Sequence, residues 1–145
     1  MFIKKNFSLP FVVLRRQKTF KISATAEDSG CKITVFSVPR GIKEITIAQL
    51  ASALLGVPAN SIAMIEILIK KLGYMMTPEQ IKEIEERIKK MYRNRGVISA
   101  FVPNKNGGVS VMNLFPFKNW RAEYTRINDD YKYHNDRCLL IRNFE

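Results

Sequence analysis

Three glycines divide residues 45–96 into helices, and no other feature of the chain constrains its fold as strongly. Thr46 precedes a segment whose Ile47, Leu50, Ala51 and Leu54 share one face at helical spacing, and Gly56 ends it. A second segment begins at about Pro58 or Ala59, runs to Leu72 and stops at Gly73. Its Ile62, Ile65, Leu68, Ile69 and Leu72 form a wide apolar face that Met64 and Ile67 extend. A helix apolar on so many sides is expected to lie buried between other elements. The third segment opens on Thr77-Pro78-Glu79-Gln80, with a capping threonine, a proline at the first helical position and a glutamine placed to close a capping box. Ile81, Ile84, Ile88, Met91 and Tyr92 then follow one stripe. Acids come early (Glu79, Glu83, Glu85, Glu86) and bases late (Lys89, Lys90, Arg93, Arg95), as the helix dipole favours, and Gly96 ends the helix.

Strand-forming stretches flank these helices. Residues 20–26 alternate Phe20, Ile22 and Ala24 against Lys21, Ser23 and Thr25. Residues 27–30 read as a turn, and 31–38 return as a second strand rich in β-branched and aromatic side chains. Residues 97–102 and 108–114 predict two more strands around Pro103-Asn104-Lys105-Asn106-Gly107-Gly108, where Asn and Gly accept the positive φ of a hairpin turn. In the tail, Pro116, Phe117 and Trp120 suggest an aromatic anchor, 121–135 a polar helix, and 138–141 a short closing strand. The expected class is α+β: an N-terminal β-hairpin, three central helices and a C-terminal β-hairpin. The chain of 145 residues suits one such domain over 20–145, preceded by an arm over 1–19.

That arm holds much of the charge. Lys4, Lys5, Arg15, Arg16, Lys18 and Lys21 precede the first acid, Glu27, and supply more than half of the net charge of +11. The rest of the chain is nearly balanced. Phe2, Phe7, Phe11, Val12, Val13 and Leu14 are interleaved with these bases, so the arm is expected to pack by its apolar side and offer its cations to a partner. Its composition also has the flavour of an organellar transit peptide, and the expectation is that it is held down within a larger assembly.

The order of elements over 46–114 resembles a winged helix-turn-helix domain. The stretch Ile45-Thr46-Ile47-Ala48-Gln49-Leu50-Ala51-Ser52-Ala53-Leu54-Leu55-Gly56-Val57 looks like the opening of many such domains, and Gly96-Val97-Ile98 with Gly107-Gly108-Val109 is similar to their strand-wing-strand close. Residues 45–76 also resemble the small N-terminal helical subdomain of bacterial translation initiation factor 2. Two departures stand out. The second helix is longer than a compact helix-turn-helix allows, and the third carries four acids in its first half, where a DNA-reading helix presents contacts to bases.

No catalytic constellation is legible. His134 is the one histidine, in a polar segment with Asp130 and Asp136 nearby. Glu83, Glu85 and Glu86 read as a solvated helix face, and Gly107-Gly108 lacks the surroundings of a phosphate-binding motif. Cys31 and Cys138 are isolated from each other and from any metal-binding spacing, and are expected as reduced thiols in an intracellular, cytoplasmic or organellar setting. No apolar stretch approaches the roughly 20 residues that span a bilayer, so no membrane partner is expected. A basic, non-catalytic chain points to a polyanion. The expected function is non-enzymatic, cofactor-free binding of nucleic acid, RNA over DNA, as a structural subunit of a ribonucleoprotein such as a ribosome-associated protein, among other proteins. Its candidate phosphate contacts are Lys4, Lys5, Arg15, Arg16, Lys18, Lys21, Lys89, Lys90, Arg93, Arg95, Lys105 and Arg121. Trp120 and Tyr124 are candidates for stacking on bases, though burial in the core is the expected role of both. The rival readings are a sequence-specific DNA-binding regulator of a phage or mobile element, and a virion or other assembly component docking through its basic arm.

Overall fold

The computed structural model describes residues 14–21, 31–38, 41–42, 44–92, 96–115, 121–129, 133–134 and 137–144. The chain is a mixed α+β protein. Its elements in order are β1 (Arg15–Lys21), β2 (Lys32–Ser37), β3 (Glu44–Ile45), α1 (Ile47–Leu55), α2 (Ile62–Leu72), α3 (Pro78–Tyr92), β4 (Val97–Pro103), β5 (Val109–Phe115), β6 (Arg121–Arg126), β7 (Tyr133–His134) and β8 (Arg137–Arg142). Six strands form one sheet in the order β1-β2-β8-β4-β5-β6, and β3 pairs with β7 in a separate two-stranded ladder. Neighbours in the large sheet are antiparallel except the central pair β4 and β8, which run parallel.

Local chemistry sets the helix ends. Thr46 Oγ1 accepts from the Gln49 backbone N–H at 3.1 Å, and Gln49 Oε1 accepts from the Thr46 N–H at 2.8 Å. Thr77 and Gln80 make the same reciprocal box at 3.1 and 2.9 Å. Gly56 and Gly73 end α1 and α2 in the left-handed region, at φ 75° and 73°, where a Cβ would be strained. We expect Thr77→Ala to lower stability by about 1 kcal/mol in urea unfolding, with an unchanged slope, because the box loses a partner for an N-terminal N–H. Of the expected boundaries, α2 differs: it starts at Ile62, because residues 59–60 form a turn behind Pro58.

The core has two halves, one on each face of the sheet. Ile81, Ile84 and Ile88 of α3 pack with Ile33, Val35, Ile98, Ala100, Val102, Met112, Leu114, Cys138 and Leu140. On the opposite face, Ile47, Leu50 and Ala51 of α1 and Ile65 and Ile69 of α2 pack with Phe36, Phe101, Val111, Leu139 and Ile141. Alternation along each strand produces this division: odd positions of β2 and even positions of β4 and β8 face α3, and their neighbours face α1 and α2. The arrangement is three layers, with α3 separated from the other two helices by the sheet.

Several tail and helix expectations are corrected here. Residues 121–126 form a strand, not part of a polar helix. Tyr124 and Thr125 favour strands, and the open edge of β5 offers Arg121–Arg126 a complete ladder, from Phe115↔Arg121 to Ser110↔Arg126. Cys138–Ile141 is central, not closing: β8 lies between β2 and β4, and these four residues are buried. A continuous apolar run with no alternation is what a strand covered on both faces requires. The β4–β5 hairpin is likewise the middle of the sheet and not an appended wing. The strand expected from Phe20 starts at Arg15, so residues 15–19 pair in the sheet. Finally, α2 buries Ile65 and Ile69 but leaves Met64, Ile67 and Leu72 exposed by 51%, 62% and 45%. One sheet covers only one of its sides.

Cys31 and Cys138 are buried on the α3 side and form no disulfide. Cys138 is opposite Ser37 in the ladder, six residues from Cys31, which amounts to about 20 Å of extended chain. They are too far apart to bridge. No helix among the described residues is long and apolar enough to cross a membrane.

Candidate nucleic-acid interface

β1 is the edge of the described sheet, and three of its side chains are cations exposed to solvent: Arg15, Arg16 and Lys18. A shift in the β1–β2 register between Arg16 and Lys18 sets their directions. Arg15 is opposite Ser37 and Lys18 is opposite Val35, both on the α3 side of the sheet. Arg16 is opposite Phe36 and points to the α1/α2 side. The irregularity at Gln17, whose Nε2 donates to Ser37 Oγ at 2.8 Å, thus divides a run of bases between both faces of one edge.

Arg16 is held by aromatic packing. Its guanidinium carbon is 5.0 Å from the centroid of the Phe144 ring. That ring meets Phe36 edge-on at 4.9 Å and 82°, and Tyr74 at 5.8 Å. Seating the arginine over a ring lowers the entropy lost when it grips an anion.

The residues opposite β1 leave its charge uncompensated across the ladder. They are Ser37, Phe36, Val35, Thr34, Ile33 and Lys32, with no acid among them.

The other sequence candidates are dispersed. Lys89 on α3 is 3.4 Å from Glu85 and 3.5 Å from Glu86, so it serves its own helix. Lys90 is exposed on α3 and Lys105 is exposed at the β4–β5 turn. Arg121 is in β6, opposite Phe115. Lys4, Lys5, Arg93, Arg95 and Trp120 lie outside the described residues. β1 is about 19 Å from β5 across the intervening strands, so the edge and the hairpin turn are separate surfaces. The turn is braced from below, where Lys70 Nζ of α2 donates to the Gly107 carbonyl at 2.8 Å.

Sequence reasoning missed two features. Tyr124, expected in the core, is 59% exposed on β6. Arg137 is 1% exposed. Its Nε and Nη2 donate to Ser99 Oγ at 3.1 and 3.0 Å, Nη2 also to Asn113 Oδ1 at 3.3 Å, and Nη1 to the Ile45 carbonyl at 3.1 Å. Ser99 donates onward to Asn113 at 2.7 Å, and Asn113 to Thr125 at 3.0 Å. This network joins β8, β4, β5 and β6 through their interior and is a scaffold beneath the surface, not a solvent-facing site. Polar residues inside apolar strands at 99, 113 and 137 were the signal for the network; the exposure of Tyr124 had none, because Ala122 and Tyr124 are the apolar positions of 121–126.

Among the described residues no group of three His, Cys, Asp or Glu is placed to hold a metal ion. The geometry suits multivalent anion binding along an edge. Comparison with protein families, curated proteins and solved structures finds no match to the chain.

Proposed function

We propose that this chain is a non-enzymatic nucleic-acid-binding protein, a structural RNA-binding subunit of a ribonucleoprotein such as a ribosome-associated protein. One observation carries the reading: an exposed edge strand bears Arg15, Arg16 and Lys18 with no acid opposite any of its residues. Three cations on one strand, divided between two faces, suit a phosphate backbone better than a single anion.

RNA is favoured over a DNA groove because the helices do not offer a reading surface. The apolar stripe of α3 is committed to the sheet, and its outer face mixes exposed Lys82, Arg87 and Lys90 with Glu79, Glu83 and Glu86. Mixed charge on a helix repels as much backbone phosphate as it attracts. The winged-helix-like order of 46–114 enters this reading only through the hairpin turn, where Lys105 supplies a secondary contact. Membership of a larger assembly is supported by α2, whose exposed Met64 and Ile67 line an open groove of about 650 Å3 with Ile62, Leu68 and Lys71. Exposed apolar side chains gathered on one helix are a surface that a protein neighbour would cover.

The test is fluorescence anisotropy with a labelled single-stranded RNA over a potassium chloride series. The wild-type affinity should fall steeply with salt. The Arg15→Ala/Arg16→Ala/Lys18→Ala variant should flatten the log–log slope by about 2, at roughly 0.7 per lost phosphate contact on a single strand. An unchanged slope, or no binding by the wild type at low salt, would overturn the proposal.

A further inference from the structure

At the opposite end of the sheet from β1, the α3 layer stops short. Met112 and Leu114 of β5 are covered in the α3-side core. β6, the next strand, is not covered there. Tyr124 is directly opposite Met112, Ala122 opposite Leu114 and Arg126 opposite Ser110, so these three β6 side chains share the α3 side of the sheet, and all three are exposed. The result is a ledge beside α3, with buried Met112 next to the foot of the tyrosine. Glu123 and Thr125 point to the other face, where Thr125 ends the buried polar network.

Two properties of the ledge specify a ligand. Tyr124 presents 59% of its surface although it stands mid-strand on a face shared with buried Met112. Arg126 is two residues further along the same face, about 7 Å away. The six residues of β5 and β6 on this side, Ser110, Met112, Leu114, Ala122, Tyr124 and Arg126, include one cation and no acid. The neighbouring acid, Asp129, accepts the Arg126 backbone N–H at 3.0 Å and so faces the turn.

We propose that Tyr124 is a stacking platform for an unpaired nucleobase, with Arg126 holding the adjoining phosphate. An aromatic face plus a cation at the spacing of one nucleotide is the minimal unit of single-strand recognition. A paired base is already stacked on both sides, so the ligand class is single-stranded nucleic acid. This rests on the proposed function and deepens it: β1 supplies charge at one edge and β6 reads bases at the other, about 24 Å away.

The experiment compares the full chain binding a labelled oligoadenylate of about 12 nucleotides with an abasic ribose-phosphate strand of equal length. Wild type should bind the oligoadenylate about 5- to 30-fold more tightly. Tyr124→Ala should abolish that difference while leaving the salt slope unchanged, and Tyr124→Phe should retain it. Arg126→Ala should flatten the slope by about 0.7. Urea midpoints within error of wild type confirm that the variants fold, as substitution at an exposed position allows. The corresponding deoxy strand identifies the source: weaker binding assigns the ledge to RNA, and equal binding to single strands of either sugar. A wild type that binds both ribose backbones equally, or a Tyr124→Ala protein that keeps the preference, overturns the ledge and leaves the basic edge standing. A wild type that binds neither strand overturns both.

Discussion

Arg137→Ala should lower the unfolding free energy by about 3–5 kcal/mol, measured by urea denaturation. The guanidinium is 1% exposed and makes four hydrogen bonds to three different elements. Truncation leaves the Ile45 carbonyl and the Ser99 hydroxyl each short of a buried donor, at about 1–3 kcal/mol for an unsatisfied group, and opens a cavity on the α1/α2 side. One effect opposes this: a buried charge carries its own desolvation penalty, which the substitution removes. That relief is realised only if the polar partners are removed as well. Arg137→Leu combined with Ser99→Ala and Asn113→Leu should therefore recover much of the loss, a strongly non-additive outcome. Arg137→Lys should behave like Arg137→Ala and not like wild type, because one ammonium cannot meet Ile45 on one side and Ser99 and Asn113 on the other. Equal stability of Arg137→Ala and wild type would refute a structural role for the network. The loss should concentrate at β3, which Nη1 ties to the sheet through Ile45, and hydrogen exchange should quicken there before it does in α3.

The second large effect is Phe101→Ala, also expected to cost about 3–5 kcal/mol. Phe101 is fully buried mid-β4 in the half of the core formed with α1 and α2. Its carbonyl accepts the Met76 N–H at 2.8 Å, on the approach to α3. Ile84→Ala, in the other half, should cost about 2–4 kcal/mol. Because the sheet lies between them, the double variant should be additive within about 0.5 kcal/mol. Met64→Ala, on the solvent side of α2, should change stability by no more than about 0.5 kcal/mol in the isolated chain. Strong coupling between Phe101 and Ile84, or a large loss at Met64, would contradict the three-layer division.

Local punctuation was readable at four helix ends. Thr46, Gly56, Gly73, and Thr77 with Gln80 mark helix ends through hydrogen bonds and φ values that belong to a few neighbouring residues. The turn at 103–108 was readable for the same reason, with Gly107 at φ 83°. Residues 121–126 were not, because their polar composition suits an exposed helix as well as an edge strand, and the choice lay with the vacant edge of β5. The basic β1 strand was half readable. Its charge was evident, but not that the irregularity at Gln17 would send Arg16 to one face and Lys18 to the other.

The residues alone marked the three segments that form α1, α2 and α3, the glycine stops of α1 and α2, and an acid-free cationic stretch before the first acid, since all of these depend on near neighbours in the chain. Tertiary packing decided the rest: that α3 covers one face and α1 and α2 the other, that β8 runs in the centre, and that Tyr124 is exposed while Arg137 is buried. The physical reason is that an apolar stripe states a need for cover without naming what provides it. Only strand order and register determine which stripes meet the sheet, which strand is left at an edge, and so which side chains remain for a ligand.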